Sequence, residues 1–112
     1  MSTKSKNELS PSKAALLEVI RELMLMQYGN YIVRPLYIAL PVQHDGGTEW
    51  FSIAGGEEGF ELRYTGDEPV YGWNDPVVFK GQPVRNVTLN VLTAAIKVNV
   101  QRVIREGNRK AA

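Results

Sequence analysis

The sequence has no cysteine. That excludes a disulfide framework, a thiol nucleophile and any cysteine-ligated zinc or iron–sulfur site, and it suits a cytosolic protein. Histidine occurs once, as His44, so a histidine base or ligand has a single address. No apolar run approaches the roughly 18–20 residues of a membrane span. The opening MSTKSKNELSPSK is polar and lacks the apolar core of a secretory signal. Neither G-x-S-x-G nor H-E-x-x-H occurs, so two common hydrolase signatures are missing. Acidic residues are scarce at the C-terminal end: residues 77–112 hold one acid against seven bases.

What is present is close to a globular average. With 112 residues, 44% hydrophobic and 22% charged, the chain suits one domain with a core that needs no staples. The formal net charge of +1 hides a segregation. Residues 43–76 carry eight acids and one base, and residues 1–42 carry five bases and three acids. An acidic middle and a basic end can steer a partner or a second copy.

Residues 1–8 read as a flexible tail, 9–108 as a single α+β domain and 109–112 as a basic tail. A helix is expected over 11–28. Ser10 or Ser12 caps it, Pro11 suits the first turn, and Leu16, Leu17, Ile20, Leu23, Met24 and Tyr28 share one face. Gly29-Asn30 closes it. The period then changes. In YIVRPLYIALPVQ the residues Leu36, Ile38, Leu40 and Val42 alternate with others, and Pro35 and Pro41 favour an edge or a strand end.

VQHDGGTEWF reads as a hairpin. With Asp45-Gly46 as the loop, Leu40 faces Phe51, Ile38 faces Ile53 and Pro41 faces Trp50; Gly46-Gly47 is the alternative loop, which sets Val42 opposite Phe51 and Leu40 opposite Ile53 and keeps the same faces. His44 then sits at a solvated tip, and His44→Ala is expected to change stability by less than about 0.5 kcal/mol. FELRY, 60–64, makes a third strand, with Ile53 opposite Phe60 across a loop at 54–59. VYGW and VVFK suit short strands between the turns TGDEP, NDP and GQP. A second helix is expected over about 87–106, with a main stripe of Leu89, Leu92, Ile96, Val100, Val103 and Ile104. Val91, Ala95 and Val98 form a second strip. The fold class is therefore α+β: an N-terminal helix, an antiparallel meander of three to four strands, and a C-terminal helix, both helices on one face of the sheet. Small dimeric secretion chaperones and small phage and plasmid accessory proteins share that order, a likeness of architecture that no motif carries.

The candidate chemistry is thin. AGGEEGF cannot cradle phosphate, because Glu57 and Glu58 would repel it and no lysine follows. Its letters are near the GGEEF signature of diguanylate cyclases, but Gly59 displaces the phenylalanine. The carboxylates fall in separate turns without EF-hand spacing, so no metal and no cofactor is expected. The remaining signals point to binding. Tyr37, Trp50, Arg63, Tyr71 and Trp73 form an aromatic and arginine group of the kind enriched at binding hot spots. Val91, Ala95, Val98 and Arg102 form a candidate homodimer interface. The expected function is a non-enzymatic, cytoplasmic protein-interaction module that binds another protein. A nucleic-acid-binding accessory protein using the basic end of the last helix is the alternative, and a small enzyme with carboxylate or His44 chemistry comes third.

Overall fold

The computed structural model describes residues 11–112; the expected tail at 1–8 lies outside them. The chain forms α1 (Pro11–Leu25), β1 (Ile32–Val33), β2 (Ile38–His44), β3 (Gly47–Gly56), β4 (Gly59–Gly66), β5 (Val78–Phe79), β6 (Gln82–Pro83) and α2 (Leu89–Ala111). β1 to β4 make an antiparallel sheet in chain order, and β5 and β6 make a separate small hairpin. This is the expected α+β meander flanked by two helices.

α1 stops three residues before the expected end. Tyr28 N–H bonds to Leu23 O and Gln27 N–H to Met24 O, with Gln27 at φ 61. That is a Schellman closure, and here glutamine rather than glycine takes the left-handed position. α2 begins at Leu89, where the Thr88 side chain accepts the Val91 N–H, an N-cap bond. It runs to Ala111, so residues 109–111 are helical.

Of the two expected β2–β3 registers the structure has the one that turns at Asp45-Gly46: Leu40 opposite Phe51, Ile38 opposite Ile53, Pro41 opposite Trp50. β4 pairs two residues away from expectation. Ile53 faces Leu62, Phe60 faces Gly55, and β3 continues through Gly56. The glycine-rich stretch is thus strand rather than loop, and a shift of two preserves every face because side chains alternate with period two. VYGW forms no strand. The segment after it lines the free edge of β4 instead: Val77 N–H bonds to Leu62 O, Leu62 N–H to Val84 O, and Phe60 N–H to Val87 O. This closes one sheet edge against strand addition.

The core lies between the sheet and both helices, with Leu16, Val19 and Leu23 of α1, Ile38, Leu40, Phe51, Ile53 and Leu62 of the sheet, and Leu92, Ala95, Ile96 and Val100 of α2 in one cluster. Truncating a fully buried member such as Leu23 or Leu92 to alanine costs about 2–5 kcal/mol.

Candidate functional site

His44 is not at a solvated tip. Its side chain is 5% exposed, which corrects the sequence expectation. The end of β2 carries it beneath the last turns of α2, against Gly107, where a Cβ would overlap the imidazole ring. Gly46 N–H donates to Nδ1 at 3.0 Å, so Nδ1 is an acceptor and the neutral ring carries its proton on Nε2. Nε2 donates to Glu49 Oε2. The Tyr64 hydroxyl, from β4, donates to the other oxygen, Oε1. One residue on, Asp45 N–H donates to the Asn108 side chain at 2.8 Å. The hairpin tip and the end of α2 are thereby tied together.

The electrostatics follow from this packing. The Tyr64 hydrogen bond holds the Glu49 carboxyl below its ordinary value against the opposing effect of burial, helped by His44 and Lys110. Burial, together with the Glu49 carboxylate, pushes the Tyr64 phenol up to about 12. Both values move away from neutrality, opposite to what proton transfer at physiological pH requires. An open cleft of about 540 Å³ beside these groups also meets Asp67, Arg102, Glu106 and Lys110. Among the described residues no three histidine, aspartate or glutamate side chains converge as metal ligands would, and no buried side-chain polar atom lacks a partner.

The structure gathers most of the aromatic group, but under a cover. Residues 67–76 fold back across the outer sheet face. Gly72 N–H donates to the Ser52 hydroxyl at 3.1 Å, and Ser52 is 2% exposed. Arg63 donates to the Asn74 carbonyl and pairs with Glu61 at 3.1 Å. Tyr71 donates to Glu61 at 3.0 Å; burial and that carboxylate raise its phenol. Tyr37, Tyr71 and Trp73 form a ladder of edge-to-face rings with centroids 5.6 and 5.7 Å apart. Trp50 stands outside the ladder, half-buried. Trp73 alone of the five residues is open, at 91% exposure. The face expected to be free is largely occupied by the protein's own chain.

Among the described residues, two apolar surfaces remain uncovered. On α1 the buried strip is Leu16, Val19 and Leu23. Leu17, Ile20 and Met24 lie on a strip up to roughly 100° further around the axis. Leu17 and Ile20 join Val33 and Pro35 to line an apolar groove of about 470 Å³. Met24, Val33 and Leu36 nearby are 66%, 53% and 69% exposed. The sequence had placed Leu17 and Met24 on the same helical face as Leu16 and Leu23, which are the ones the core buries.

The second surface is the outer strip of α2. Ala95 is 0% exposed and belongs to the core, so it cannot contribute to an interface. Arg102, also outward, donates to the buried Asn99 side chain at 2.6 Å. Asn99 in turn donates to Ala95 O, which satisfies a polar residue inside the core. Val91 and Val98 stay outside, the latter 53% exposed.

Tyr64, Gly107 and Asn108 were missed as members of the hairpin-tip cluster. An isolated glycine inside a helical pattern is the signal that could have found Gly107, since it marks close approach of another element. Among the described residues no helix is long and apolar enough to cross a membrane. Comparison with protein-family models, with curated proteins and with solved structures finds no match to this chain.

Proposed function

We propose that this is a non-enzymatic, cytoplasmic interaction module that works as a homodimer and holds an apolar segment of another protein in the groove between α1 and β1. The observation that carries the reading is the groove itself. Leu17, Ile20, Val33 and Pro35 line it, and exposed Met24 and Leu36 extend the apolar surface beside it. Contiguous exposed apolar surface of this kind marks interaction sites in soluble proteins. β1 offers a short, open sheet edge alongside, so a partner strand or helix has both apolar contact and backbone partners within reach. The chemistry around His44 supports the same reading, because both ring nitrogens are spent on internal bonds.

The test is a photo-crosslinking amino acid placed at position 17 and, separately, at position 105, in cells of the native host. The reading expects protein adducts from position 17, abolished when Val33 is changed to aspartate while circular dichroism stays unchanged. Adducts to nucleic acid from position 105, with none from position 17, would overturn it in favour of a nucleic-acid-binding protein using the cations of α2.

A further inference from the structure

Resting on the homodimer reading, we infer that two copies pair antiparallel along α2 about a two-fold axis near Val98, so that Arg105 and Arg109 of each copy meet the Glu57-Glu58 turn of the other.

The helix face comes first. At 100° per residue, Val91, Val98, Arg102, Arg105 and Arg109 fall within roughly a quarter turn of one another, on a flank of the helix that adjoins the buried arc at Ala95. The strip is divided along its length, with valines in its N-terminal half and arginines in its C-terminal half. Val91 and Val98 are the large exposed apolar residues of this helix.

The charges come second. The β3–β4 turn brings Glu57 and Glu58 to the start of α2. Phe60 N–H bonds to Val87 O, and the two glutamates share a shallow depression with Asn86, Val87 and Thr88. Arg105, Arg109, Glu57 and Glu58 are all exposed, and none has an ion-pair partner among the described residues. One end of the helix face is therefore cationic, and the other end is flanked by acid.

The register follows. A two-fold axis at Val98 sets Arg105 opposite Val91 and Arg109 opposite Val87. Each lies up to roughly 16 Å from the axis, at the level of the partner's Glu57-Glu58 turn. The valines meet at the centre and the unlike charges meet twice, as an isologous contact requires. Parallel pairing would set each arginine against its own copy, so charge selects the antiparallel arrangement. A single helix face is a small contact, which places the dissociation constant in the range of roughly 1–100 µM.

Sedimentation equilibrium on the full chain tests this, with circular dichroism as the check on folding. The wild type should dimerise in that range. Val98→Glu should weaken the dimer by roughly tenfold or more, since it places a charge at an apolar centre. Arg105→Glu with Arg109→Glu should weaken it by roughly tenfold, as should Glu57→Arg with Glu58→Arg. The four changes together should restore it to within about threefold, because the pairs are swapped rather than lost. A dimer indifferent to Val98 and to all four charges would overturn this pairing and leave the homodimer standing on another surface. A wild type that stays monomeric at roughly 100 µM would overturn both. So would a monomer that binds a single-stranded oligonucleotide with an affinity falling steeply in salt and lost in Arg105→Glu with Arg109→Glu, and α2 would then belong to phosphate contacts.

Discussion

Strand β3 ends in two hairpin turns of the same construction set in opposite surroundings. At one end Asp45-Gly46 is followed by Gly47 at φ +129; at the other, Glu57-Glu58 is followed by Gly59 at φ +127. In both, the left-handed backbone falls on the glycine after the loop rather than within it. The first turn is held by α2 through His44, Asp45, Gly107 and Asn108. The second keeps both glutamate side chains exposed. The residues that look like chemistry are thus tied into the fold, and the plain acidic pair keeps its side chains in the open. Residue type did not decide which turn is free; what the last helix reaches did.

The most direct way to break this contrast is at Gly107. Gly107→Ala gains about 1 kcal/mol in helix propensity. Its Cβ, however, overlaps the His44 ring, and such overpacking costs typically about 1–3 kcal/mol. Urea denaturation should show a net loss of stability. In a His44→Ala background the same substitution should become neutral or stabilising, because the ring is gone. If Gly107→Ala destabilises equally in both backgrounds, the overlap is not the cause.

His44→Ala comes next. It removes a buried ring from beneath α2 together with its bonds to Glu49 and Gly46, for a loss of about 1–3 kcal/mol, most of it from the packing. The sequence alone had suggested a negligible change. A midpoint identical to wild type would return His44 to the surface.

A smaller effect separates the turns by pH. Glu49 has a depressed folded value, so its contribution is present above the ordinary carboxylate range and lost as pH falls through that lower value. Tyr64 is raised from 10.0 to about 12, so its contribution is present below about pH 10 and lost as pH rises through 12. Tyr64 is 37% exposed, and solvent screening keeps both terms modest. Tyr64→Phe should flatten the alkaline limb of stability against pH, and Glu49→Gln the acid limb. At the other turn, Glu57→Ala with Glu58→Ala should move stability by less than about 0.5 kcal/mol, which is the smallest effect of all.

The sequence carried the local half of this architecture. Alternation in IALPVQ and TEWFSI put Leu40, Ile38, Phe51 and Ile53 on one side in either of two registers two residues apart, and the structure forms the one that turns at Asp45-Gly46. Helix periods marked α1 and α2. What stayed hidden depended on distant residues. The glycines of AGGEEG read as loop because glycine has no side chain to alternate, yet pairing with β4 makes them strand. The outer face seemed free because nothing local says that residues 67–76 return to cover it. Ala95 looked like part of an outer strip, since alanine sits equally well on either side of a helix boundary. His44 looked exposed because its neighbour, Gly107, lies at the far end of the chain and offers no side chain to betray the contact.

That contact changes what the C-terminal part of α2 is able to do. Terminal helical turns ordinarily fray, opening at almost no free-energy cost and exchanging their amide protons quickly. Here the turn containing Gly107 and Asn108 is fastened to a hairpin in the middle of the sheet, so it cannot unwind without also loosening that hairpin. The turn of α2 at Gly107 and Asn108 therefore opens with the body of the domain, as a clasp does, and a protease would find it closed for as long as the sheet is intact.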